Sequence, residues 1–210
     1  MPRSARFKEL QLRLRELRKY MLPATFSSTG DYSARQLDRS RGYRLLVHAE
    51  IEAFLEDITF EAARSGISEW VRTKRVNDCL FCLIVSYHSG FIVDSLDEEP
   101  PIPSEQRAKL KNSIKELVEN AMKQYQQIHA TNHGIKEENL LRLVLPVGVR
   151  KDDLDELWIT NLNEFGKRRG DVAHKAVKAQ QQIDPRSDLQ DVQSLLAGLM
   201  KLDQLVTELY

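Results

Sequence analysis

The sequence predicts an all-α fold, a compact helical bundle with an extra amphipathic helix at the N-terminus. Three observations carry this. Apolar residues recur in steps of three and four along nearly every segment, which is the spacing of one helix face. A strand is the lesser alternative only in the short apolar run at 143–149. Glycines, prolines and capping residues punctuate the chain at helix-length intervals.

The first segment, 2–22, sets Phe7, Leu10, Leu14, Leu17 and Met21 on one face. Its other face carries Arg3, Arg6, Lys8, Arg13, Arg15, Arg18 and Lys19 against only Glu9 and Glu16. The plain reading is a solvated basic face on a packed helix. The sharper ones are a dimer seam or an RNA-facing patch. Residues 23–33 form a break rich in Ser, Thr, Gly and Pro. A long helix is expected over 34–64, buried through Val47, Ile51, Phe54 and Ile58 and ended by Gly66. Another starts near Ser68 and runs through Leu80, Leu83 and Ile84. The acidic, proline-rich stretch 97–103 reads as a loop, and Ser104 as the N-cap of a helix ending near Ala130.

After a turn at 129–134, a short helix over 137–145 is stopped by Pro146. Asp152 or Asp153 can cap the next helix, with Leu154, Trp158 and Phe165 inward and Gly166 and Gly170 weakening it. Ser187 and Gln190 have capping-box spacing for the last helix, whose stripe is Leu189, Val192, Leu196, Leu199, Leu202 and Val206. The organisation read from this is a basic helix and loop at 1–33 and a helical domain at 34–210.

Composition narrows the function classes. With 41% hydrophobic residues, the 210-residue chain can bury a core, so disorder throughout is excluded. Lys+Arg and Asp+Glu both number 31, so no global positive field draws in nucleic acid and any phosphate contact must come from a local patch. Two cysteines are too few for a disulfide framework and fit a reducing compartment. Neither an apolar leader nor a stretch of about 20 apolar residues is present. The expectation is a cytoplasmic protein that does not enter a membrane.

Three constellations could carry chemistry. Cys79 and Cys82 form a CxxC, but inside an apolar helix and without a second such pair, so they read as small buried hydrophobes. His48 and Glu52 lie four residues apart on one helix face, at the border of the apolar stripe, where they could face a cleft or form a rim pair. The third is Lys167-Arg168-Arg169-Gly170-Asp171-Val172-Ala173-His174. In one unbroken helix Arg169 and His174 would point about 140° apart and could not share a target. If Gly170 breaks the helix and Asp171 caps a new one, Arg169 precedes the new start and His174 lies in its first turn. Both could then converge on an anion held by free amides, and the positive helix end would keep His174 neutral, as a general base requires. The plain alternative is an imidazole beside arginines in a surface turn.

The convergent arrangement suits one reaction. In RNA the 2′-hydroxyl can attack its own adjacent phosphate once a base removes its proton, while a cation stabilises the charge developing on phosphate oxygens. The chemistry needs no metal or other cofactor, and DNA cannot follow it.

Arg169 to His174, an Arg-x-x-x-x-His late in a helical chain, resembles the motif of the HEPN superfamily. The stretch 45–58, with His48, Glu50 and Glu52, resembles the family's early helix, where an acidic residue faces the motif. The layout from Leu140 through Pro146, Asp153 and Leu154 to Arg169 is similar to the RiboL-PSP type. The resemblance implies a metal-independent endoribonuclease acting on RNA, in a toxin–antitoxin, antiviral-defence or stress role. It implies a homodimer with two Arg/His motifs around one cleft, and an antitoxin or regulatory protein as partner. Carried over, Arg169 stabilises the scissile phosphate, His174 is base or acid, and Glu52, or else Glu50, is the acidic helper. Arg168 is a second phosphate contact, with His48 and Asp171 in support. Two departures stand out. Gly170 replaces the family's frequent Asn, and Ala176 replaces a Tyr often found in toxins paired with a nucleotidyltransferase. Some members have lost catalysis, so a catalytically inactive dimerisation or adaptor module is the alternative.

Overall fold

Ser4 starts the first helix. Its hydroxyl accepts the Phe7 amide at 3.0 Å, and Asp203 of the last helix accepts from the Ser4 amide at 3.0 Å. In the computed structural model, residues 4–87, 104–174 and 183–209 are described, with side chains described for 4–87, 114–172 and 183–209. The described residues form seven α-helices and no strand: α1 Ala5–Met21, α2 Ala34–Thr73, α3 Asp78–Tyr87, α4 Ser104–Ala130, α5 Glu137–Val144, α6 Glu156–His174 and α7 Pro185–Thr207. The all-α expectation holds, and the 143–149 run forms the end of α5 and a 3-10 turn at Leu145–Val147.

α2 is the central element. Val47, Ile51, Phe54 and Leu55 are fully buried along it, and α1, α3, α6 and α7 pack around it. The apolar stripe of α1 lies on this helix. Phe7, Leu10, Leu14 and Leu17 are buried in the common core, and the Phe7 and Phe54 rings meet edge to face at 5.8 Å. That seam is therefore covered within the chain and is not open to a partner.

Several boundaries differ from those the sequence suggests. α2 runs through Gly66 to Thr73, where Lys74 turns into the left-handed region at φ 61°. Gly66 serves packing instead of termination: a Cβ there would sit 3.2 Å from Oδ1 of Asn77 and 3.4 Å from Cys79. α6 is capped by Asp155, which accepts the Trp158 amide at 2.7 Å, while Asp152 and Asp153 lie in a 3-10 turn. α7 is capped by Asp184, which accepts the Arg186 and Ser187 amides at 3.0 and 3.3 Å, with Pro185 at the first helical position. Ser187 and Gln190 thus fall inside the helix. The predicted loop at 97–103 lies outside the described residues.

The difference that matters most concerns α6. It continues unbroken through Gly166 and Gly170 to His174, so Asp171 lies within the helix and no new helix starts there. A glycine in a helix interior costs about 1 kcal/mol, too little to break a helix anchored by buried Trp158, Ile159, Leu162 and Phe165. No helix among the described residues is long and apolar enough to cross a membrane.

Candidate active site

The candidate site is a cavity of about 320 Å³ between α2, α6 and the loop joining α4 to α5. α2 contributes His48, α6 contributes Gly166, Arg169 and Gly170, and the loop side contributes His133, Lys136, Glu138 and Asn139. Two groups that lie far apart in sequence, His48 and Arg169, therefore share one space.

His48 is only 2% exposed. Its Nδ1 lies 3.4 Å from Oε2 of Glu52, one turn further along α2. The separation is that of an ion pair, but the geometry makes no hydrogen bond, and Nδ1 has no other partner. The next carboxylate on this face, Glu56, accepts from Nδ2 of Asn132 at 2.7 Å. Burial pushes the Glu56 carboxyl above its usual range, against the opposing effect of that amide.

Arg169 is half-buried, and its Nε is buried with no hydrogen-bond partner. Gly170 leaves open space beside it, since a Cβ there would meet nothing within 4 Å. One turn earlier Gly166 is packed closely, and a Cβ would sit 3.1 Å from Cγ of Lys136. The loop over the cavity is pinned on both sides. The Glu137 amide donates to Oδ1 of Asn163 on α6 at 2.6 Å. Asn132 donates to Glu56 and also to the Gly134 carbonyl at 3.2 Å, while Asn139 donates to Oδ1 of Asn132 at 3.0 Å.

Behind the cavity a buried ion pair braces three helices. Arg44 on α2 is 5% exposed and Asp188 on α7 is 1% exposed. Nη2 and Nε of Arg44 donate to the same Asp188 oxygen at 2.5 and 3.2 Å, and Nη1 donates to the Arg168 carbonyl of α6 at 3.5 Å. The brace thus holds the backbone beside Arg169. Burial pushes the Asp188 carboxyl up, while Arg44 opposes the shift.

Some residues singled out from the sequence lie elsewhere. Glu50 faces α1, where Arg13 donates to it at 3.0 Å, because positions 50 and 48 fall on different sides of α2. Arg168 turns its guanidinium toward Asp191 of α7 at 2.9 Å, away from the cavity. Asp171 belongs to α6. The His174 backbone closes the described part of α6, and its side chain lies outside the described residues. Because the helix is unbroken, positions 169 and 174 are about 140° apart around its axis, and no helix start supplies free amides between them. Cys79 is buried, its thiol pushed up to about 12 by burial, which fits the packing reading.

His133, within the predicted turn at 129–134, and Lys136, between that turn and the predicted helix at 137–145, are not among the residues singled out from the sequence. A polar turn bearing an imidazole and an ammonium, between a long helix and a short one, is the signal that could have marked them.

A family model described as RiboL-PSP-HEPN matches residues 8–202, a span that includes most of α1. No curated protein and no solved structure matches the chain.

Proposed function

The chain belongs to the RiboL-PSP-HEPN family, and on that premise we propose that it is a metal-independent endoribonuclease of single-stranded RNA. The observation that carries the reading is the cavity in which Arg169 of α6 meets the Glu52-backed imidazole of His48.

In this reading the 2′-hydroxyl attacks the adjacent phosphorus. The O2′–P bond forms, the P–O5′ bond breaks, and the products are a 2′,3′-cyclic phosphate and a free 5′-hydroxyl. Arg169 stabilises the charge that develops on the non-bridging oxygens, a term worth about 3–4 kcal/mol in comparable sites. His174 moves the proton. Glu52 acts through His48, holding the imidazole at the cavity wall. Positions 169 and 174 are about 140° apart around the axis of α6. In this reading the protein works as a homodimer, with the Arg169 and His174 motifs of two copies around one cleft. A role in toxin–antitoxin or antiviral defence, with a regulatory protein partner, is the setting this family suggests.

The test is a matched pair of oligonucleotides, one all-RNA and one with a single 2′-deoxy residue at the mapped cut. The all-RNA strand is cut and the substituted strand is not. Equal cutting of both would remove the mechanism.

A further inference from the structure

We propose that Lys136, on the loop between α4 and α5, is a second phosphate-binding cation of the Arg169 cavity and grips the backbone of single-stranded RNA. This rests on the ribonuclease reading and adds a contact for its substrate.

Charge placement comes first. The chain has no net charge, so a phosphate contact requires cations that are locally uncompensated. The basic residues next to Arg169 on α6 are compensated: Lys167 pairs with Glu164 at 2.6 Å, and Arg168 faces Asp191. Lys136 lines the cavity with Arg169 and, among the described residues, makes no ion pair.

The backbone under Lys136 is fixed. The following amide, that of Glu137, is held by Asn163 of α6, and the preceding turn is held by Asn132 through Glu56 of α2. Gly166 completes the fit. α6 is bare of side chain at the point where the Lys136 stem lies across it, 3.1 Å from where a Cβ would stand. The stem is thereby led over the helix one turn before Arg169.

The cavity is also lined by Arg169, whose Nε is buried and unpartnered. A buried unpaired guanidinium donor of this kind is satisfied by an anion. Glu138, an exposed carboxylate at the same cavity, opposes the binding and provides a control of opposite sign.

The experiment measures single-stranded RNA affinity against salt concentration by fluorescence anisotropy. The full chain carries His174→Ala throughout, so that nothing is cut. Lys136→Met should weaken binding about threefold to tenfold at low salt and reduce the magnitude of the log–log salt slope by about 0.7, the loss of one single-strand phosphate contact. Lys136→Arg should restore both, and Glu138→Gln should tighten binding. Melting temperatures should not move, because both side chains are exposed. Salt-dependent binding by the parent with an unchanged slope in Lys136→Met overturns the assignment of Lys136 alone. Absence of salt-dependent binding in the parent overturns the ribonuclease reading and the Lys136 contact with it.

Discussion

Nδ1 of His48 lies 3.4 Å from Oε2 of Glu52, one turn apart on α2, and this nearly buried imidazole shares its cavity with Arg169 of α6. A carboxylate in that position orients the ring. Glu52→Gln keeps the shape and removes the charge. We expect cleavage to fall by about 10²-fold, the low end for a group serving proton transfer, with the melting temperature within a few degrees of the parent. Glu50→Gln, at a carboxylate paired with Arg13 of α1, should leave cleavage unchanged. A common effect of both substitutions would show that general acidity, and not the His48 contact, is what matters.

Two glycines should respond in opposite ways. A Cβ at Gly198 would run into the indole of Trp158, whose Nε1 is tied to the Leu195 carbonyl at 3.1 Å. Neither ring nor helix can give way easily, so Gly198→Ala should cost about 1–3 kcal/mol or more. Gly170 faces open space, so Gly170→Asn should be stable, gaining a few tenths of a kcal/mol of helix propensity. It also supplies the polar group the family often carries there, and cleavage should be retained or raised. Urea titrations of both variants check the first part and a rate measurement the second.

The Arg44–Asp188 pair is buried and touches the Arg168 carbonyl, so it supports both stability and the placement of Arg169. Asp188→Ala strands the guanidinium and should cost about 3–5 kcal/mol. Replacing both partners together, Arg44→Met with Asp188→Leu, should recover most of that loss. Denaturant midpoints of the single and double variants decide it; a double variant as unstable as the single one would mean the pair does more than neutralise itself.

The fold class was legible because it depends on apolar spacing alone. The stripes at Phe7 to Leu17 and Val47 to Ile58 turned inward, as did Val192, Leu199, Leu202 and Val206 of α7, where Leu195 is buried and the predicted Leu196 only partly so. Boundaries were less legible because they depend on tertiary contacts. Gly66 looks like a stop, yet it is the point where Asn77 and Cys79 pack on α2. Gly170 looks like a break, yet the buried face of α6 holds the helix together on its N-terminal side. The pairing of His48 with Glu52 followed from their spacing on one helix. Lys136 did not, because its position depends on how one loop is pinned across two helices.

His129 gives a pH dependence. It packs edge-on against Phe60 and Tyr125 at 5.2 and 4.6 Å, and burial pushes its pKa down to about 4, against a smaller upward pull from Asp57. The unfolded chain takes up the proton near pH 6.5 and the folded one only near pH 4, so stability falls as pH drops through that window. His129→Phe keeps the ring contacts and removes the titration. Its loss of stability between pH 6.5 and 4 should be smaller than the parent's, measured by denaturant midpoints across that range. Parallel curves for the two proteins would contradict the burial of a neutral ring.

Metal-independent RNA cleavage through Arg169 and His174 is tested most directly by incubating the parent, Arg169→Ala and His174→Ala with mixed single-stranded RNA in EDTA and identifying the product ends. The parent should give 2′,3′-cyclic phosphate ends, and both variants should lose cleavage while their helical content is preserved. Cleavage by His174→Ala equal to that of the parent, or activity abolished by EDTA, would contradict that mechanism.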